Sequence, residues 1–365
     1  MNAFPTDVVE DFHRFLAAEH VATGRGTILR VELPTRGMLW TGALGHVEPA
    51  GEPVSPASPF RIASITKTFT AAVIVQLASE GRLDFDDPMH LHLPAEIIDL
   101  VPRIHVLEGR SYGDSITVRD LLTHAAGLFD YASCDQFFAA IFESPEMHWT
   151  PRKMLEGAIH WGAPSFAPRQ GYGYAYSDTG YVLLGCIIEE LHRAPLHAVY
   201  RERILDPLGL SNTYLEGFEE HRGSPMTHPF QGEWDAARIH GSADWAGGGL
   251  VSTADEISVF ARALATGRVV PMDLMDEMFE WRFRELDPEK HSLGFIGYSM
   301  GIEARRLHDV LLRGHRGHWG SWMHVEPLSG LTVTGTVNQA ERRPDSIVSG
   351  VIESLVDSGL LERAA

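Results

Sequence analysis

"FRIASITKTFTAAVIVQLASEGRLDF", residues 60–85, places a serine, Ser64, three residues before a lysine, Lys67. The chain otherwise avoids lysine: of its 30 lysines and arginines only Lys67, Lys153 and Lys290 are lysine. An arginine guanidinium keeps its proton in proteins, whereas a buried ammonium can give one up. A lysine in so arginine-rich a chain therefore hints at proton chemistry. Lys153 in "TPRKMLEG" and Lys290 in "DPEKHS" read instead as surface cations.

Around this pair Ile65, Phe69, Ala72, Val73, Gln76 and Leu77 recur at helical spacing. They predict a helix over 65–80, buried over much of its surface, starting at or just before Ser64 and stopped by Gly81. Residues i and i+3 share a helix face, so Ser64 and Lys67 can lie side by side on the first turn. A serine hydroxyl is a poor nucleophile at neutral pH until a neighbouring base takes its proton, and a neutral Lys67 would do so. The free N–H groups and positive dipole end of the helix favour a developing alkoxide there.

Working outward, "MNAFPTDVVEDFHRFLAAEH" reads as an acidic amphipathic helix, and "RGTILRVELPTRGMLWTGALGHVE" as a hairpin. Residues 82–235 are rich in helix signals and show no evident β-ladder. In "SITVRDLLTHAAGL", Thr117 is the expected N-cap, Asp120 lies in the first turn and Gly127 terminates; "DTGYVLLGCIIEELHRAPLHAVYRERILDPLGL" predicts a long apolar helix and a shorter one. "GGGLVSTADEISVFARALATGRVV" suggests a capping box from Thr253 to Glu256 and a helix ending at Gly267. "YSMGIEARRL", "DVLLRGHRGHWGSWMHVEP" and "GLTVTGTVNQ" then alternate as consecutive antiparallel strands, before a closing helix over about 343–359. Strands near both ends with helices between predict an α+β fold: an antiparallel sheet flanked by helices, from 1–81 and 236–365, with an inserted all-helical lobe at 82–235 and the site between them.

Composition narrows the function classes. With 44% hydrophobic and 22% charged residues, the chain reads as an ordinary globular protein. A formal net charge of −19 and a pI near 5.4 argue against nucleic-acid or anionic-membrane partners and leave a small-molecule substrate. Two cysteines, Cys134 and Cys186, make no disulfide framework, and Cys186 reads as an apolar core residue. No apolar run reaches bilayer-spanning length, and a soluble, cytoplasmic protein is expected. The 19 histidines include His90 and His92 in "HLH", but no H-E-x-x-H motif or carboxylate cluster accompanies them, so neither a metal nor a cofactor is expected.

Ser-x-x-Lys alone is a weak signal. Two more stretches supply partners. In "YAYSDTGYVLLG", Tyr176 precedes Ser177 and Asp178; a phenol near two cations would lose its proton below its reference pKa and could shuttle protons. In "RGHRGHWGSW", His315, Arg316, Gly317 and His318 fall on a predicted strand, where Gly317 would let a substrate backbone approach and the following N–H could face an oxyanion.

"SITK", "YSD" and "HRG" resemble, in order and spacing, the S-x-x-K, Y-x-N and K-T-G or H-x-G elements of the penicillin-recognising serine hydrolases. That family includes class C β-lactamases, D-alanyl-D-alanine carboxypeptidases, D-aminopeptidases and D-amino-acid amidases, and β-lactamase-fold esterases. The resemblance runs from about residue 10 to 358, and it implies the β-lactamase/transpeptidase-like form of the predicted fold. It also implies Ser64 as acylated nucleophile, Lys67 as its proton acceptor, Tyr176 as general base and acid, and the N–H groups of Ser64 and His318 as oxyanion hole. Asp178, His315, Arg316 and Gly317 fall at substrate-binding positions.

Two departures bear on substrate. Asp178 replaces the usual asparagine and would either orient Lys67, favouring its charged form, or read an amino group on the substrate. His315 replaces the lysine of β-lactamases and is largely neutral at pH 7, so a substrate carboxylate would be held less firmly unless Arg316 turns inward. The expected activity is hydrolysis of a small amide or ester, with D-amino-acid amides or D-peptides as candidates, through an acyl-enzyme on Ser64. β-Lactamase, carboxylesterase and acyltransferase activities use the same intermediate; the non-enzymatic alternative is an inactive binding protein on this scaffold.

Overall fold

The computed structural model describes residues 2–49, 51–168, 173–280, 293–340, 342 and 345–363. Lys290 lies outside them. The first hairpin forms as its alternation predicts, from β1 (Thr27–Leu33) and β2 (Met38–Leu44). The C-terminal third adds β3 (Phe295–Tyr298), β4 (Glu303–Leu307), β5 (Val310–Arg316), β6 (Ser321–Val325) and β7 (Thr332–Thr336). Together they make one seven-stranded sheet in the order β3-β4-β5-β6-β7-β1-β2, so the two ends of the chain meet where β1 pairs antiparallel with β7.

Period-two alternation gives the sheet two unlike faces. Leu29, Val31, Leu33 and Val333 pack outward with Phe12 and Leu16 of the helix Thr6–Thr23 and with Val351 and Leu355 of the closing helix Asp345–Asp357. On the other face Thr332 and Thr334 meet the helix Ala254–Ala265, where the Thr334 hydroxyl donates to the Ala254 carbonyl at 2.8 Å. Beyond it lies the helix Thr66–Ser79, in which Phe69 stacks on Phe260 at 3.6 Å between ring centroids. Eleven of its fourteen residues are buried, as its nearly all-round apolar pattern requires.

Local signals hold with instructive exceptions. Thr117 caps the helix Val118–Leu122 through a full capping box with Asp120, but the helix stops well before Gly127: His124 already has a φ of +58°. Thr253 caps its helix, yet the Glu256 carboxylate turns away to accept from Asn212 and the Thr213 hydroxyl, leaving half of the expected box. The segment expected to lack strands carries short ones: Val106–Leu107 pairs with Arg110–Ser111, Phe230–Gln231 with Trp234–Asp235, and Tyr214–Leu215 joins a small sheet. Two-residue strands leave no periodicity to read in a sequence. Cys186 is buried in the long helix Asp178–His192, and Lys153 lies over the Trp149 ring rather than standing free. Among the described residues no helix is long and apolar enough to cross a membrane.

Candidate active site

Ser64 is positioned by the small sheet. Phe60 and Arg61 pair with Ser252 and Val251, and the Arg61 guanidinium binds Glu216 at 2.6 Å and the Ala236 and Ile239 carbonyls, each at 2.6 Å. The chain then turns through Ala63, whose φ of +47° is unusual for a residue with a Cβ, and enters a short 3₁₀ turn carrying Ser64. Lys67, fully buried, follows on the same face. Its Nζ lies 3.0 Å from Ser64 Oγ and 2.8 Å from the Gly247 carbonyl, and it also donates to Asp178 Oδ1. Three acceptors match the three hydrogens of an ammonium. Gly247 is needed for this: a Cβ there would come within 2.6 Å of Asp178 Oδ1.

Tyr176 and Asp178 arrive on the segment before the helix Asp178–His192. His124 holds that segment twice, its carbonyl accepting from Ala175 N at 3.0 Å and its Nδ1 from Ser177 N at 3.1 Å. Its ring lies 4.3 Å from that of Tyr176, and burial, with Lys67 and His315 adding to it, keeps His124 neutral well below its ordinary pKa. Asp130 Oδ1 fixes the next residue by accepting from Asp178 N at 3.1 Å.

Tyr176 lines the same cleft as Ser64, but its protonation runs against expectation. The phenol's pKa is raised rather than lowered, because burial and the Asp178 carboxylate outweigh the opposing influence of Ser64. Lys67 does stand over the Tyr176 ring, at 4.8 Å, yet its charge is already answered by Asp178.

The third element differs more from expectation. His315 is buried with both nitrogens engaged inside the protein: Nδ1 donates to the Arg316 carbonyl at 2.7 Å, and Nε2 accepts from the Tyr298 hydroxyl at 3.1 Å. Burial drives its pKa down to about 4, so it offers a substrate no charge at neutral pH. Arg316 faces the cleft but forks onto Glu303, at 3.0 and 3.3 Å. Gly317 makes room for protein rather than substrate, since a Cβ would lie 2.4 Å from the Ile62 carbonyl and 3.0 Å from Ala63 Cβ. The strand ends at Arg316, short of the predicted stretch, so Gly317 and His318 lie just past it, and this close approach sets them against the Ser64 turn.

Ser64, Tyr176, Asp178, His315, Arg316, Gly317 and His318 all line one cleft of about 750 Å³. Phe137, Phe138, Ile141 and Trp319 form an apolar wall, and Asp130 and Asp244 face the same space. Burial and the Asp178 charge raise Asp130 to about 7 against the pull of Lys67, and raise Asp244 to about 6 against Arg61 and Lys67. His124, Asp130, Asp244, Gly247 and Glu303 were not singled out from sequence. "HAAGLFD" and "DWAGGG" do hold four of them, in segments that read as helix terminus and loop. Among the described residues no group of histidines, cysteines and carboxylates could hold a metal ion.

The family model described as Beta-lactamase matches residues 35–352. The chain belongs to that beta-lactamase family. Its fold is close to that of D-amino acid amidase from Ochrobactrum anthropi SV3, solved with L-phenylalanine amide: TM-score 0.80 and 25% identity over 97% of this chain and all 100% of that one. A D-stereospecific amidohydrolase from Streptomyces sp. gives a TM-score of 0.78 and 29% identity, covering 94% of this chain and 97% of that one. Penicillin-binding protein 4* of Bacillus subtilis is 30% identical over 190 residues, 52% of this chain. The chain spans only 37% of the length of that relative. The matched span takes in all three short elements that meet at the cleft, with Asp178 and the buried His315 among its lining.

Proposed function

We propose that this protein is a serine hydrolase that cleaves small amides of D-amino acids through an acyl-enzyme on Ser64. The observation that carries the reading is Lys67 Nζ 3.0 Å from Ser64 Oγ at the wall of a substrate-sized cleft that Tyr176 also lines. Lys67 hands a proton to Asp178 and, as the neutral amine so formed, takes the proton of Ser64 Oγ as that oxygen attacks the substrate carbonyl carbon. The oxyanion is received by the backbone N–H groups of Ser64 and His318. The C–N bond then breaks, and the protonated phenol of Tyr176 gives its proton to the departing amine. Water enters by the reverse sequence, releases the acid and restores Ser64.

The substrate class follows from charge. Asp178 is engaged by Lys67 and Glu216 by Arg61, which leaves Asp130 and Asp244 to attract a cationic α-amino group, with the Phe137–Phe138–Trp319 wall beside an apolar side chain. The names of the two amidohydrolase neighbours support a D-configured acyl group. A division into a discontinuous sheet region, 1–81 with 236–365, and a helical lobe, 82–235, belongs to the same reading, as does a cytoplasmic location, supported by two free cysteines. Ammonia release from D- and L-phenylalanine amide tests it: the D-isomer should be favoured by at least about tenfold in kcat/KM, and Ser64→Ala should abolish turnover. Equal rates, or activity surviving Ser64→Ala, would refute it.

A further inference from the structure

Arg316 projects into the cleft beside the reacting serine, where a guanidinium would ordinarily grip a substrate carboxylate. It is already taken. Glu303, on the neighbouring strand β4, accepts from its Nε at 3.0 Å and its Nη2 at 3.3 Å, using the two-pronged edge that a carboxylate ligand would need. Arg305 donates to the same Glu303 oxygen at 3.3 and 3.2 Å, and Asp345 completes the group, 3.1 Å from Arg305 and 3.7 Å from Arg316. Among the described residues two guanidiniums thus face two carboxylates. Glu303 is nine-tenths buried, and although burial opposes its charge, Arg316 and Arg305 together hold its carboxyl well below the usual range. With His315 turned inward and Asp130 and Asp244 opposite, the other cations at the cleft among the described residues are also paired: Lys67 with Asp178, Arg61 with Glu216 and Arg342 with Glu19.

We infer that Glu303 is a specificity-determining residue that disarms Arg316, so that the cleft accepts acyl donors ending in a neutral amide and turns away those with a carboxylate beside the scissile bond. The inference deepens the proposed amidase reading and rests on the same cleft being the substrate site, but binding alone can test it. Benzoate and benzamide differ chiefly in that charge, and Trp319 in the cleft wall supplies a fluorescence signal for equilibrium titration of the full chain. Wild-type protein should bind benzoate no more tightly than benzamide. Glu303→Gln keeps an acceptor for Arg305 yet frees a positive charge, and should tighten benzoate about tenfold while moving benzamide less than about twofold. The double variant Glu303→Gln/Arg316→Gln should lose that gain. Unchanged benzoate affinity in Glu303→Gln, or a gain that survives removal of Arg316, would overturn the inference. Should Glu303→Gln fail to fold by circular dichroism, Arg316→Gln alone decides: a benzoate change under about twofold supports a disarmed arginine, and a tenfold loss means that Arg316 already reads carboxylates. None of these titrations requires turnover, so a wild-type protein that ignores D-amides would refute the amidase reading separately.

Discussion

The Asp178 carboxylate accepts a hydrogen bond from the same Lys67 amine that faces Ser64 Oγ from 3.0 Å. Of the two roles open to a carboxylate here, this geometry favours handling Lys67 over reading the substrate. Asparagine would keep an oxygen near Lys67 but could not take its proton. Asp178→Asn should therefore lower kcat by on the order of 10–100-fold for amine-bearing and neutral acyl donors alike. Its measure is the ratio of kcat/KM for D-phenylalanine amide and a p-nitrophenyl ester. If that ratio collapses while the ester rate holds, Asp178 reads the substrate amine instead.

Asp130 and Asp244 bind protons near pH 7 and 6, so the charge that attracts a substrate ammonium is lost as the medium is acidified. Over pH 7 to 5 an α-amino group with a pKa of about 7.7 stays largely charged. Relative to its desamino analogue, an aminoacyl amide should lose about tenfold in kcat/KM across that window, because shared catalytic groups cancel in the ratio. Asp130→Asn should flatten the dependence. A ratio that does not vary with pH would remove both carboxylates from substrate recognition.

The same residue makes a stability prediction of opposite sense. The folded-state pKa of Asp130, about 7, lies above its unfolded value, so ionising it opposes folding; the penalty is absent below about pH 4 and full above about pH 7. Asparagine retains the oxygen that accepts from Asp178 N and Ala132 N. Asp130→Asn should stabilise the protein by about 2–4 kcal/mol at pH 8 and by little at pH 4, as read by chemical denaturation at both values. Equal stability at pH 8 would mean that the carboxylate finds compensation on ionising.

Gly317 touches the nucleophile turn across a gap that a methyl group cannot enter, with the Ile62 carbonyl 2.4 Å and Ser321 Oγ 2.1 Å from an added Cβ. The Ser321 hydroxyl, itself bonded to Ile62 O at 2.9 Å, can rotate away; the carbonyl cannot. Gly317→Ala should push the Ser64 turn from the His318 N–H and reduce kcat by about 100-fold, with KM affected far less. A variant with wild-type kcat would count against the proposed oxyanion hole of the Ser64 and His318 N–H groups.

Sequence alone revealed most of the frame and the juxtaposition of Ser64 and Lys67, for a physical reason in each case. Burial alternates in part in β1 and β5, whereas β6 and β7 are buried throughout between two layers, and Ser64 and Lys67 are found together because i and i+3 share a turn. What stayed hidden depends on contacts between distant segments. Glu303 sits in "IEARRL" as one charge among three, and only strand pairing brings it to Arg316. His124 reads as a helical residue until its positive φ turns the chain and aims its ring at Ser177. Tyr176 was found, but not the direction of its pKa, since burial by Tyr174, Tyr298 and His124 is a property of packing.

The proposed reaction passes through a covalent bond to one oxygen, Ser64 Oγ. Rapid-quench mixing of the protein with a D-phenylalanine ester, followed by intact mass and peptide mapping, detects that bond. A transient gain of one D-phenylalanyl group is expected on the peptide bearing Ser64, absent in Ser64→Ala. Substrate turnover with no adduct on any time scale, or an adduct on another residue, would contradict it.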